Sequence, residues 1–239
     1  MQSKINLLNL NQKALDEFFK KLGEKSYRTK QIMKWIYKDQ VFDFDQMLNL
    51  SKKLREQLKE ISCIEFPSVV SKSHALDGVI KWVVELGGEN HVEMVYIPEK
   101  DRGTLCISSQ VGCALACTFC STGYQGFNRN LSTAEIIAQV LIANLHLNPA
   151  GKRISNVVFM GMGEPMLNEE AVYSACDLLM DDLSFGLSRR RVTISSSGVV
   201  PALERMSERV PVSLAISLHA PNNTLRDELV PINKKYPIE

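Results

Sequence analysis

The sequence predicts an α/β fold: a partial (β/α) barrel, incomplete at its C-terminus, with a small helical N-terminal domain and a β-hairpin extension ahead of it. Three observations predict it. From about residue 104, four near-continuous apolar runs alternate with helical patterns, the signature of a parallel sheet covered by helices. Residues 1–65 show only the helical spacing of apolar side chains. Residues 66–103 between them are β-rich and carry a Gly-Gly-Glu-Asn hairpin signal at 87–90. The expected domains are 1–65, 66–103 and 104–239.

The elements follow in order. "QKALDEFFKKLG" sets Leu15, Phe18, Phe19 and Leu22 on one helical face and stops at Gly23. "RTKQIMKWIYKDQ" repeats the pattern through Ile32, Trp35 and Ile36. "SKKLREQLKEI" begins at a Ser51 N-cap and stacks Leu54 on Leu58. "SVVSKSH", "VIKWVVEL" and "HVEMVYI" are strands, the last two paired as a hairpin. "TLCISSQ" is the next strand, followed by a cysteine-rich loop. "STAEIIAQVLIANLHL" is a helix in which Ser132 and Glu135 have capping-box spacing. Three more strand–loop–helix units follow: "ISNVVFM" with "EEAVYSACDLLMD", "RVTISSSG" with a helix starting near Pro201, and "SLAISLH" with "NNTLRDEL". Loops after the C-terminal ends of such strands carry the chemistry of these folds. Four strands are too few to close a barrel, and "PINKKYPIE" stands where another strand is expected, so the sequence reads as a fold cut short. The chain is expected to be poorly soluble or loosely folded by itself.

Composition narrows the function. Of 239 residues, 45% are hydrophobic and 23% charged, as in an ordinary globular protein, and the net charge of +1 points to no global field for nucleic acid. No apolar run is long enough to span a membrane, and the N-terminus lacks the features of a signal peptide. A cytoplasmic protein is expected, in which clustered thiols serve as ligands or catalysts rather than as disulfides. Residues 1–60 hold thirteen Lys and Arg against eight Asp and Glu. That excess fits either a solvated surface or a module touching RNA phosphates through Lys20, Lys21, Lys25, Arg28, Lys30 and Lys34.

Four of the six cysteines crowd into "TLCISSQVGCALACTFCSTG". Cys113, Cys117 and Cys120 have C-x3-C-x2-C spacing, which lets one loop turn three thiolates toward a common point. Structural zinc wants four ligands, and Cys106 lies seven residues upstream within a strand. Three thiolates suit a 4Fe–4S cluster with one open iron, which can chelate the amino and carboxylate groups of a small ligand. "CALACTFC" resembles the cluster motif of radical S-adenosylmethionine (SAM) enzymes. "CISSQVGCALACTFCSTGYQGFNRNL", "NVVFMGMGEPMLN", "RRVTISSSGVVPAL" and "ISLHAPNNTLRDELVPINKKYPIE" resemble the RlmN family, dual-specificity methyltransferases of adenosine C2 in 23S rRNA and tRNA.

The resemblance implies a partial radical SAM barrel and a role for each matched residue. Cys113, Cys117 and Cys120 would hold the 4Fe–4S cluster. Gly163, Glu164, Ser195, Ser217, Leu218 and His219 would contact SAM; a glycine permits close backbone approach and a carboxylate suits an ammonium. Cys106 would be a catalytic thiol that resolves a covalent RNA adduct by forming a disulfide, and Glu93 would accept the proton. Without the resemblance, a strand Glu reads as a surface charge, a strand-end Ser as a plain polar residue and a lone His as structural. The family's methyl-carrying cysteine and one Asn contact to SAM have no counterpart here, so the chain is expected to lack the carrier step. Cys63 and Cys176 receive no role, and Cys176 reads as core. The implied partners are 23S rRNA, tRNA and an external flavodoxin-like electron donor; the chain is expected to be a monomer off the membrane. Three alternatives stand beside this: a C8-specific enzyme of the sister Cfr family, a radical SAM enzyme of another reaction type, and a zinc-bound RNA-binding module.

Overall fold

A computed structural model describes residues 4–239. Its elements in chain order are β1 (Ile5–Asn6), α1 (Gln12–Lys21), α2 (Tyr27–Met33), α3 (Lys52–Ile61), β2 (Ser62–Cys63), β3 (Ser68–His74), β4 (Ile80–Glu85), β5 (His91–Pro98), β6 (Gly103–Cys106), β7 (Gln110–Gly112), α4 (Ser121–Tyr124), β8 (Phe127–Asn130), α5 (Thr133–Leu147), β9 (Asn156–Phe159), α6 (Glu169–Met180), β10 (Val192–Ser196), α7 (Val200–Arg209), β11 (Ser213–Ile216) and α8 (Asn223–Leu229).

Local chemistry sets the helix ends. The Asn11 side chain caps α1, and Gly23 at φ +74° ends it: Gly23 N–H donates to the Lys20 carbonyl and Glu24 N–H to that of Phe19, the paired bonds of a Schellman turn. Ser51 caps α3 by accepting from Leu54 N–H. Ser132 and Glu135 form the expected capping box on α5. The second helix changes character after Met33 and continues as a π-helical turn, Lys34–Lys38.

Seven strands form one sheet in the order β11-β10-β9-β6-β5-β4-β3. The run β6, β9, β10, β11 is parallel and in chain order, the expected arc of a (β/α) barrel. The segment 66–103 joins the same sheet: β5 pairs antiparallel with β6 from Val95 opposite Cys106 to Pro98 opposite Gly103. At its far edge, β3 is polar, exposed and bulged between Val69 and Ser71, features that discourage edge pairing.

Side-chain alternation divides the sheet's two faces. Leu105, Val157, Phe159, Val192 and Ile194 point to the helices and are fully buried. The α5 helix is apolar nearly all round rather than amphipathic, because it lies between the sheet and the N-terminal module. Its Ala134 N–H donates to Asn9 Oδ1 at 2.8 Å, and Leu7 and Leu8 are buried in the same continuous core. Asn11 donates to Asp177 on α6, and Tyr37 packs on Phe185 with ring centroids 5.3 Å apart. The fourth helix departs from expectation. Leu229 and Val230 at the end of α8 pack on the cysteine loop, and Leu214 and Ile216 on β11 stay about half exposed.

Candidate functional site

The face turned away from the helices is open and carries a mixture of polar, thiol and apolar side chains. Register places Cys106 beside Val158, Val158 beside Thr193, and Thr193 beside Ser213. Two residues further along, toward the C-terminal ends, come Met160, Ser195 and Ala215, and Ser217 follows two residues beyond Ala215. Residues i and i+2 share a face, so these belong to one surface. Glu93 and Val95 on β5 belong to it too, since Val95 sits opposite Cys106.

The cysteine loop stands at the C-terminal rim. The antiparallel pair β7–β8 clasps its base. Gly112 has φ +71°, and a Cβ there would meet the Gly126 carbonyl oxygen at 1.7 Å, so only glycine closes this clasp. Within the loop, Cys113 N–H donates to Gly126, Cys120 N–H to Cys117 and Gly123 N–H to Cys120. Thr118 fastens the loop to the end of α8 through bonds to the carbonyls of Glu228 and Leu229, each 3.1 Å. Cys113, Cys117 and Cys120 thereby line one cavity of about 300 Å³, shared with Gly163, Glu164, Ser195, Ser217 and His219.

Each wall residue has a physical reason for its place. Gly163 has φ +96°, and a Cβ would lie 2.4 Å from the Gln110 Cβ. Glu164 is only 3% exposed. Its Oε2 accepts from Ser197 N–H at 2.9 Å and its Oε1 from Met166 N–H at 3.1 Å. Burial raises its pKa, and these bonds pull it back only in part. Among the described residues no cation pairs with it, so this buried carboxylate can receive a ligand ammonium. Ser195 Oγ and Ser217 Oγ lie 3.2 Å apart and tie β10 to β11. His219 holds φ +60°, uncommon for a residue other than glycine, and its ring centroid lies 4.5 Å from that of Phe119 on the cysteine loop. Leu218 is not on the cavity wall; its side chain is half exposed and its carbonyl accepts from Arg226.

The thiols fall into two kinds. Burial raises the pKa of Cys113 and Cys117, and the nearby thiols of Cys113 and Cys120 raise that of Cys117 further. Among the described residues no three Cys, His, Asp or Glu side chains are grouped closely enough to hold a single metal ion. A cubane binds each thiolate to a different iron, and three thiols around one cavity fit it. Cys106 stands apart on the open face of β6. Burial pushes its pKa up to about 11, partly offset by a hydrogen bond from Met160 N–H, so it rests as a thiol. Glu93 is exposed on the same face and ion-pairs with Lys81 at 2.9 Å. All six cysteines are free; Cys176 is buried in α6, remote in character from the open face.

Sequence reasoning missed several residues that hold the site. Gln139 on α5 clamps both the N–H and the carbonyl of Ser108 after β6, at 2.8 and 2.9 Å. Gln110 accepts from Glu164 N–H. Arg226 is buried beneath β10 and β11. For Gln139 the available signal was a long polar side chain in an otherwise apolar helix; Arg226 lies in a polar helix and gave none.

A family profile described as "Ribosomal RNA large subunit methyltransferase N-terminal domain" matches residues 5–64, and one described as "Radical SAM superfamily" matches 107–239. The chain is 74% identical over 237 residues to the dual-specificity RNA methyltransferase RlmN of Vesicomyosocius okutanii, covering 99% of this chain and 67% of the relative. It is 71% identical to that of Ruthia magnifica over the same share of each chain. It is 56% identical to that of Marinobacter nauticus, covering 98% of this chain and 64% of that relative. The chain thus spans about two thirds of their length. A crystal structure of a radical SAM methyltransferase from Sphaerobacter thermophilus superposes with a TM-score of 0.90 at 39% identity, covering 98% of this chain and 69% of that one. On the fold, the cysteine loop and these relatives together, the chain belongs to the RlmN family of radical SAM methyltransferases.

Proposed function

We propose that this chain carries the cluster and SAM site of an RNA methyltransferase that acts on C2 of adenosine in 23S rRNA and tRNA. The observation that carries the reading is the division of the thiols: three line one cavity with the buried Glu164, while Cys106 stands apart on the open face. Cys113, Cys117 and Cys120 would hold a 4Fe–4S cluster, which when bound supplies the electron that cleaves SAM to a carbon radical. Glu164 would receive the SAM ammonium, and Ser195, Ser217 and His219 would shape the wall beside it. Val158, Met160, Thr193 and Ser195 line the open face over which an adenine would sit. Cys106, protonated at rest, would resolve the covalent adduct by pairing with a second, methyl-carrying thiol, and Glu93 would take the proton. Lys20, Lys21, Lys25, Lys30 and Lys34 are exposed on the N-terminal module and suit RNA phosphates; Arg28 does not, because it is bonded to Glu24 and Gln31.

No helix among the described residues is long and apolar enough to cross a membrane. A cytoplasmic site of action with an external one-electron donor fits this chemistry. The test is anaerobic reconstitution with iron and sulfide. About four irons per chain are expected, lost in Cys113→Ala, Cys117→Ala or Cys120→Ala and kept in Cys106→Ala. Loss of iron in the Cys106 variant overturns the division of thiols. In the full-length enzyme, mass spectrometry of treated RNA should find the methyl group at adenosine C2; methylation at C8 overturns the assignment.

A further inference from the structure

Arg226 is a cation only 3% exposed, and none of the roles above uses it. Its guanidinium donates from Nε to the Leu218 carbonyl at 2.9 Å. Nη1 donates to Asn233 Oδ1 at 2.6 Å. Nη2 donates to the carbonyls of Ser197 at 2.8 Å and Ser217 at 3.3 Å. Every acceptor is neutral. No carboxylate ion-pairs with it among the described residues; Asp227 lies one step away, behind Asn233. A buried, uncompensated charge is costly, and a structural staple for carbonyls does not require one.

Its position explains the charge. Three of the four bonds end on residues just past β10 and β11, the two strands that bring Ser195 and Ser217 to the cavity wall. Ser197 is held from both sides: its N–H donates to the buried carboxylate of Glu164, and its carbonyl accepts from Arg226. Two buried and opposite charges are thus kept apart across one residue at the edge of a cavity lined by three thiols. The cavity's own groups are anionic when loaded, and a cation fixed behind the wall offsets them without occupying the space.

We propose that Arg226 is a positioning residue for this site. Its planar fork holds the ends of β10 and β11 in the register that binds SAM, and its charge stabilises the reduced, more negative state of the loaded cavity. The proposal rests on the radical SAM reading. Its test uses the reconstituted chain, with SAM affinity measured by equilibrium dialysis and the cluster midpoint potential by titration followed with electron paramagnetic resonance. Arg226→Lys keeps the charge and loses the fork; its SAM dissociation constant should rise about tenfold while the midpoint stays. Arg226→Gln loses both; affinity should fall at least as far and the midpoint should move to more negative values. A folded, iron-loaded Gln variant with wild-type affinity and midpoint overturns the proposal. If the Gln variant does not fold, the Lys variant decides: unchanged SAM affinity overturns the positioning role, and weaker affinity at an unchanged midpoint supports it. A wild-type chain that takes up no iron overturns the radical SAM reading and this proposal together, a result seen before any variant is compared.

Discussion

At the scale of single residues, burial decides which acids and thiols are charged. Cys106 is held near 11 by desolvation, so its unfolded counterpart, near ~8.5, ionises first. Between those values the folded chain keeps a proton that the unfolded chain releases. The stability Cys106 contributes is therefore complete below about pH 8.5 and is lost as pH rises toward 11. Its alkylation by iodoacetamide, read peptide by peptide in a mass spectrometer, should be slow at pH 7 and climb steeply between 9 and 11. Full reactivity at neutral pH would contradict the burial argument. Glu164→Gln keeps the shape of the wall but removes the one buried carboxylate on it, and should weaken SAM binding by about tenfold or more with iron content unchanged. The cysteines were legible in the sequence because ligand spacing is encoded locally. Arg226 was not: "NTLRDEL" gives a short helix whose Arg looks solvated, while the structure buries Arg226 and leaves Leu225 40% exposed. Only a tertiary contact with strand-end carbonyls reverses that order.

At the scale of elements, two glycines of one clasp separate strain from mere flexibility. Gly112 and Gly126 both have positive φ, but a Cβ on Gly112 strikes the Gly126 carbonyl, whereas one on Gly126 meets nothing within 4 Å. Gly126→Ala should cost only the conformational penalty of about 1 kcal/mol. Gly112→Ala must also open the β7–β8 pair, so it should lose iron binding as well as melting temperature. Equal effects of the two substitutions on iron content would show that the clasp does not set the loop. The helix caps and the four parallel strands were legible because capping chemistry and apolar runs are local signals. The fate of 66–103 was less so: a hairpin pattern does not say whether its outer strand pairs with β6, and here Met94 and Tyr96 bury against the common core. The coverage of α5 on all sides was hidden for the same reason, since periodicity cannot see the module that docks on its outer face.

At the scale of the whole molecule, one apolar core runs from Leu7 to Val210, so the N-terminal module and the sheet should unfold in one transition rather than two. Calorimetry that resolved two separate transitions would show the interface through Asn9, Asn11 and Tyr37 to be weak. The same docking leaves Lys20, Lys21 and Lys25 exposed. Neutralising Lys20, Lys21 and Lys25 together should flatten the salt dependence of RNA binding, by about one log–log unit for each phosphate that a lysine had neutralised. An unchanged slope would leave them a solvated face. The opposite end of the sheet is the weak point. Among the described residues β11 is paired on one side only, and Leu214 and Ile216 are 46% and 48% exposed. An unpaired parallel edge with apolar side chains is a template for self-association. Light scattering of the 239-residue chain should therefore show mass rising with concentration. Ile216→Lys places a charge on that edge, away from the Ser213 and Ser217 face. It should hold the chain monomeric without loss of iron. A wild-type chain that stays monomeric at every concentration would contradict the self-association argument.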